Sequence, residues 1–227
     1  MLDFGFIEQF LPTMMKGLEI TVEATLGGYA IALIVGLVLA LGRRSKIRAV
    51  RIVCRLYIDF MRCTPLLVQL YFAFYVLPSF GIRFEALTTG ILVLGLNIGA
   101  YVAEVYRAGI DAVPVGQWEA ARSLGLASVP VWSLVIMPQA LPPMLPPLGN
   151  MLIGLFKETP LLAAITVIDV FGSANSIAGL TYRYTEPYTA AAIILLAVSL
   201  IAAMLVRRME WRFRPPGAAT RTGPTRR

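Results

Sequence analysis

The chain has 227 residues, 58% of them hydrophobic and 15% charged, with a formal net charge of +7 and no histidine. Soluble domains carry about 25% charged residues, so this balance excludes one, and the lack of histidine excludes imidazole acid–base and metal chemistry. The excess positive charge does not imply a nucleic-acid partner, because it gathers where membrane topology places it and not in a basic stripe with interleaved aromatics.

Residues 1–19, with Phe4, Phe6, Ile7, Phe10 and Leu11, read as an outer amphipathic lead-in. Five charge-free runs of at least 18 residues follow: Ala24–Gly42, Cys63–Ile82, Ala86–Ala103, Val129–Phe156 and Tyr188–Val206. A helix needs about 20 apolar residues to cross hydrocarbon. The fold class is therefore an all-α integral membrane protein with five transmembrane helices. Spans are expected near 20–42, 63–82, 86–106, 129–156 and 187–207, in one membrane domain over 20–210 with no soluble module. The first run is too long for a cleavable signal peptide, and a basic stretch follows it instead of preceding it.

Gly28, Ala32, Gly36 and Ala40 recur every four residues in the first span, a spacing that lets helices approach closely in lipid. The second span opens at Thr64-Pro65, where proline fits a first helical turn, after an entry segment at Tyr57–Arg62. Cys54 and Cys63 lie near that end, and no disulfide is expected there. In the third span Asn97, Tyr101 and Glu104 share one helix face at i, i+4 and i+7. Gly95 and Gly99 offer a close-packing pair beside them.

A polar insert at about 112–128 separates the third and fourth spans. Trp118–Leu124 favours a helix, Gly125 suits the left-handed residue after it, and Ser128 is placed to cap a second helix running into the fourth span. The fourth span holds Pro138, Pro142, Pro143, Pro146 and Pro147. Each removes a backbone donor and frees a carbonyl that needs a neighbour or a water-lined cavity. The next charge-free run, Thr159–Ile168, has 10 residues and suits a short outer re-entrant helix over about 159–172. The tail at 211–227 is basic, rich in Pro, Gly and Thr, and expected to be disordered.

Basic residues set the orientation. Arg43, Arg44, Lys46, Arg48, Arg51 and Arg55 lie between the first two runs, and seven arginines follow Val206. The other side holds only Lys16, Arg83, Lys157 and Arg183. The N-terminus is expected outside, with the C-terminus and the 112–128 loop in the cytoplasm.

Two groups of residues are candidates for function. A helix–turn–helix knob carrying Gly116, Glu119, Ala120, Ala121 and Gly125 can dock in a groove of a soluble partner, with the Glu119 carboxylate held by a partner cation; an ordinary interfacial hairpin fits the same pattern. In the third span, Glu104 either pairs with Arg107 at i+3 or lines a translocation path with Asn97 and Tyr101. Gln69 and Asn150, both polar within spans, fit interhelical hydrogen bonding or the same path. An ionisable group inside a span costs about 2.5–3.5 kcal/mol, so Glu104 needs a reason to be there. No glycine-rich loop precedes Lys16, Lys46 or Lys157, the only lysines, so the chain cannot hold ATP in a P-loop.

The order Glu119-Ala120-Ala121, Gly125, Ile136-Met137-Pro138 resembles the signature loop of permease subunits of ATP-binding-cassette importers. Arg62-Cys63-Thr64-Pro65-Leu66-Leu67-Val68-Gln69, the stretch Ala100–Ile110, Gly116-Gln117-Trp118, Met137-Pro138-Gln139-Ala140-Leu141, Pro146-Pro147-Leu148-Gly149-Asn150 and Lys157-Glu158-Thr159 are similar to the polar amino acid permeases of the histidine/glutamine/arginine type. The resemblance covers about Gly17 to Trp211. Cys63 stands where that family has glycine, and Pro160 where it has serine.

The resemblance implies a non-catalytic subunit of the bacterial cytoplasmic (inner) membrane. It further implies that the 112–128 loop is a coupling helix pair gripped by a separate ATPase that binds ATP and Mg. Ala120 and Ala121 would be small to let that helix lie close in the ATPase groove. The expected partners are ATPase subunits, a second permease copy or paralogue, an extracytoplasmic solute-binding protein, a polar amino acid and the lipid bilayer. The alternative is a stand-alone secondary transporter or channel coupled to ions through Glu104. It would be expected to carry inverted repeats, and the sequence shows none. An intramembrane enzyme lacks a histidine, a paired-carboxylate site and a nucleophile motif.

Overall fold

The computed structural model describes residues 3–212, and all regular structure within them is helical. The basic tail beyond 212 lies outside the described residues. Four helices are long and apolar enough to cross a bilayer, and a fifth crossing is made if a pair bent by 105° counts as one broken span.

Helix α1 (Phe4–Arg43) has 40 residues, about 60 Å at 1.5 Å per residue. The outer lead-in expected at 1–19 is therefore not a separate element but the first turns of the first span. Pro12 lies inside the helix without ending it. Phe10 and Met14 bury against Val170, Ala174, Ala190 and Ala191, and this packing carries the helix past the one donor that proline removes. The small residues of α1 receive α4 (Ala86–Asp111). A Cβ on Gly36 would stand 2.4 Å from Val102 Cγ1, so that crossing tolerates no side chain.

The second span is not straight. Its inner part is α2 (Arg48–Cys63), a charged amphipathic helix that a search for charge-free runs passes over. Its outer part is α3 (Leu66–Tyr71), continued by a π-turn at Phe72–Val76 and a 3-10 turn at Leu77–Phe80. Pro65 forces Thr64 into the extended region (φ −104°, ψ 136°), which breaks the helix and sets the bend.

Helix α4 runs one turn past the expected end of the third span. After it come α5 (Val115–Ser123), a short turn α6 (Ser128–Pro130), a π-turn at Val131–Ile136 and α7 (Met137–Glu158). Ser128 is not the cap: Ala127 holds that position, and no side chain caps the helix. The prolines of α7 do not break it. One of its carbonyls, Leu148 O, accepts a bond from the Tyr29 hydroxyl of α1 at 3.1 Å.

The re-entrant helix expected at 159–172 is instead two pieces. A 3-10 turn at Thr159–Ile165 ends in left-handed Thr166 (φ 69°), and α8 (Val170–Thr181) follows. Asp169 caps the start of α8, its side chain accepting from Gly172 N at 2.7 Å. Burial pushes its carboxyl up to about 6. The last helix, α9 (Thr185–Arg212), is longer at both ends than the expected fifth span.

Helices α1 and α4 both end at one face of the bundle, where Arg44 meets Asp111 at 2.7 Å, and the α5 hairpin projects from that face. The chain's start lies at the opposite face, where Asp3 pairs with Arg183 at 3.2 Å.

Candidate functional site

The hairpin is built from backbone bonds within a few residues. Leu126 N donates to Ala121 O (3.3 Å) and Gly125 N to Arg122 O (2.9 Å), the paired closure of a Schellman motif. Gly125 is the residue that must be left-handed, and its φ is 71°. No atom lies within 4 Å of a Cβ built there, so backbone conformation and not space demands glycine.

Gly116, Glu119 and Ala120 are exposed, as are the apolar Val115 and Leu124 on either side. Ala121 differs from the expectation. It is 3% exposed and packs inward with Val113, Val131 and Ile136, so its small size serves the chain's own core and not an external groove.

The back of the hairpin is clamped to the bundle. Trp118 and Trp132 meet edge to face at 5.1 Å, and the Arg44 guanidinium lies 5.9 and 5.8 Å from their rings. From Arg44 a chain of alternating charges runs back through the ends of α1 and α4. Arg44 binds Asp111, Asp111 binds Arg107 (3.0 Å), Arg107 binds Glu104 (2.8 Å), and Glu104 binds Arg43. Glu104 thus has one oxygen on each of two guanidiniums, so it carries no spare charge. The i+3 pair with Arg107, one of the two readings open for Glu104, forms, and Arg43 is a second partner from 61 positions away.

The second feature is a cavity of about 560 Å³ beside the α2–α3 bend. Asn97, Tyr101 and Asn150 line it. Asn97 Nδ2 donates to Met61 O and to Gln69 Oε1, both at 3.1 Å. Gln69 Nε2 donates to Met61 O (3.1 Å), Thr64 O (3.2 Å) and Thr64 Oγ1 (2.6 Å). These two amides satisfy the carbonyls that the Pro65 break strands inside the bundle. Gln69 does not line the cavity; it holds the bend that shapes the wall.

Tyr101 lies under the Arg62 guanidinium, 5.4 Å from ring centre to Cζ. Asn150 is exposed to the cavity, and its side chain makes no hydrogen bond among the described residues. Two charged lining residues were not singled out from the sequence, Arg62 and Glu158. Arg62 was visible only as the residue before Cys63-Thr64-Pro65, and Glu158 only within Lys157-Glu158-Thr159. A neighbouring cavity of about 460 Å³ joins Arg62 and Tyr101 to Glu104, so the Asn97–Tyr101–Glu104 face is lined by open space along its length.

Comparison with known proteins matches residues 9–215 to the family described as binding-protein-dependent transport system inner membrane component. The probable amino-acid ABC transporter permease y4tG of Sinorhizobium fredii is 39% identical over 208 residues, covering 92% of this chain and 90% of that protein. The L-cystine transport system permease TcyB of Bacillus subtilis is 35% identical over 208 residues, covering 89% of each. A solved amino acid ABC transporter with histidines superposes with a TM-score of 0.87 at 39% identity, over 93% of this chain and 99% of that one. A chain of the inward-facing MetNI methionine ABC transporter shares the fold, with a TM-score of 0.72 at 17% identity over 94% and 100% of the two chains.

Proposed function

The chain belongs to the family of binding-protein-dependent transport system inner membrane components, and from that premise we propose that it is the permease of an ATP-driven importer of a polar amino acid, worked through its α5 hairpin. It is a multi-pass, non-catalytic membrane subunit, and the ATPase is a separate polypeptide. Relatives named for cystine and glutamine support an amino acid as substrate.

One observation carries the mechanism: α5 holds Glu119 and its exposed neighbours outward while Ala121, Trp118 and Arg44 fix its back to α1 and α4. An ATPase subunit, binding ATP and Mg, grips the outward side from the cytoplasm. When two such subunits close, the pull passes through the Trp118–Trp132 pair and the Arg44–Asp111–Arg107–Glu104–Arg43 chain into the ends of both helices. Of these helices α4 forms a wall of the cavity, facing the α2–α3 bend and α7, so access to the cavity alternates between the two sides of the membrane.

In the cavity Arg62 offers a cation for a substrate carboxylate, and Glu158 an anion for an ammonium. Asn150 and the Tyr101 hydroxyl have hydrogen-bonding capacity to spare. The exposed position of Asn150 supports a second permease subunit, identical or paralogous, closing the cavity from that side. An extracytoplasmic solute-binding protein delivers the substrate to the opposite face. The ion-coupled alternative loses its carboxylate, because Glu104 is already neutralised by two arginines.

The test is ATP hydrolysis by the permease reconstituted with its co-purifying ATPase. Glu119→Lys should insert and assemble normally, since the side chain is exposed, yet lose substrate-stimulated hydrolysis by about tenfold or more, equivalent to about 1.4 kcal/mol of coupling. Unchanged stimulation would overturn the proposal.

A further inference from the structure

The ion-pair chain and the hairpin leave one set of charges unused. Around the helical wheel of α2, at about 100° per residue, three stripes separate. Cys54, Tyr57, Ile58 and Met61 face the core formed with Leu39, Ala100 and Ala103. Arg48, Arg51 and Arg55 fall within an arc of about 60°. Val53, Leu56 and Phe60, which are 65%, 63% and 60% exposed, fall within another, and Ile52 sits between the two.

The arginine stripe is not flat. With Arg43 of α1 and Ile52 it encloses a concavity of about 360 Å³. Within it, Arg43 is spent on Glu104, and Arg51 donates to Ser45 O (2.8 Å) and Lys46 O (3.0 Å). The side chains of Arg48 and Arg55 make no hydrogen bond or ion pair among the described residues. The one acidic residue on this side of α2, Asp59, forms no salt bridge with Arg55 one turn away. A concavity that holds two guanidiniums with no ion-pair partner, Arg48 and Arg55, is a site for a phosphate-bearing anion, since guanidinium forks match phosphate oxygens.

The exposed apolar stripe decides the source. We propose that this concavity binds the headgroup of an anionic phospholipid, with the phosphate held by Arg48 and Arg55 and an acyl chain lying along Ile52, Val53 and Leu56. Free phosphate has no use for that flank. Basic pockets between helices at the cytoplasmic membrane boundary recognise such headgroups through charge and proximity to the leaflet. The inference rests on the chain being a membrane subunit and not on the docking role of α5, so its failure would leave the hairpin reading intact.

Native mass spectrometry of the delipidated permease–ATPase complex tests it, titrated with phosphatidylglycerol and, as the zwitterionic control, phosphatidylcholine. The wild type should prefer phosphatidylglycerol by about tenfold or more. Arg48→Gln/Arg55→Gln should abolish that preference without lowering the unfolding midpoint, because neither side chain supports the fold. Arg48→Lys/Arg55→Lys should restore part of it, and Arg207→Gln/Arg208→Gln, which removes two exposed charges outside the concavity, should keep it whole. Four results would each overturn the proposal: preference retained in the first variant, equal loss in the Arg207/Arg208 variant, displacement of the lipid by millimolar inorganic phosphate, and exclusion of the lipid whenever the ATPase is bound. If the glutamine variant unfolds, the lysine variant and the phosphate competition still decide the question.

Discussion

The hairpin at 112–128 and the bend at 61–69 use polar groups in opposite ways. The hairpin satisfies itself with backbone bonds inside one motif and leaves Glu119 free to face outward. At the bend, Gln69 and Asn97 spend their amide hydrogens on carbonyls stranded by Pro65. A polar residue within a membrane span is therefore no evidence for a ligand until its hydrogen-bonding capacity has been counted. Asn150, Tyr101, Arg62 and Glu158 have capacity left; Gln69 does not.

The sharpest way to break this contrast is Gln69→Leu. It removes the donor from half-buried Thr64 O and leaves Met61 O with Asn97 alone. At about 1–3 kcal/mol for one unsatisfied group, the loss should be about 1–3 kcal/mol of stability. A clear fall in the thermal midpoint of the purified complex would record it, and a midpoint within error of the wild type would contradict the structural role.

Gly125→Val comes next. A β-branched residue in the left-handed region costs about 1–2 kcal/mol, and the strain is confined to an exposed turn. Substrate-stimulated ATP hydrolysis should drop by about tenfold while membrane insertion and the thermal midpoint barely change. Loss of insertion instead would mean that the hairpin is needed for folding and not for coupling.

Arg44→Gln removes the cation between Trp118 and Trp132 and its bond to Asp111. Partly exposed contacts of this kind are worth about 0.5–1 kcal/mol each. Coupling should fall about threefold, less than at Gly125, because the aromatic pair and the buried Ala121 still hold the hairpin. An effect equal to that of Gly125→Val would make Arg44, and not the turn, the main support.

The smallest effect on stability belongs to Asn150→Ala, under about 0.5 kcal/mol, since no internal bond is lost. Transport by the reconstituted complex should nevertheless show a raised KM for the amino acid. Unaltered transport would remove Asn150 from the path.

The same contrast explains what the sequence made legible. Gly125 lies six residues after Glu119, and the motif that uses it closes within that distance, so composition and spacing alone place the hairpin. The bend depends on partners 28 and 36 positions apart, Gln69 and Met61 with Asn97, which no local pattern reveals. Helix α2 leaves no charge-free run because its arginines interrupt the apolar positions, although its periodicity is strongly amphipathic. The short helix expected at 159–172 is divided by Asp169, whose side chain starts α8. Ala121 shares a signature with Ala120, but a helix turns about 100° between them, and that rotation carries Ala121 into the core. Four of the five expected crossings stand as single long helices, because long charge-free runs are set by the bilayer itself, and the fifth rests on counting the bent α2–α3 pair as one span.

The central claim is that the outward side of α5 meets a nucleotide-driven partner on the cytoplasmic side. Its most direct test places Glu119→Cys in a Cys54→Ser/Cys63→Ser background and applies a short bifunctional thiol cross-linker to membranes containing the whole complex. The account predicts an adduct with the ATPase subunit whose yield changes when ATP is added, and no labelling of intact cells by a membrane-impermeant maleimide. Labelling from outside, with no ATPase adduct under any nucleotide condition, would contradict it.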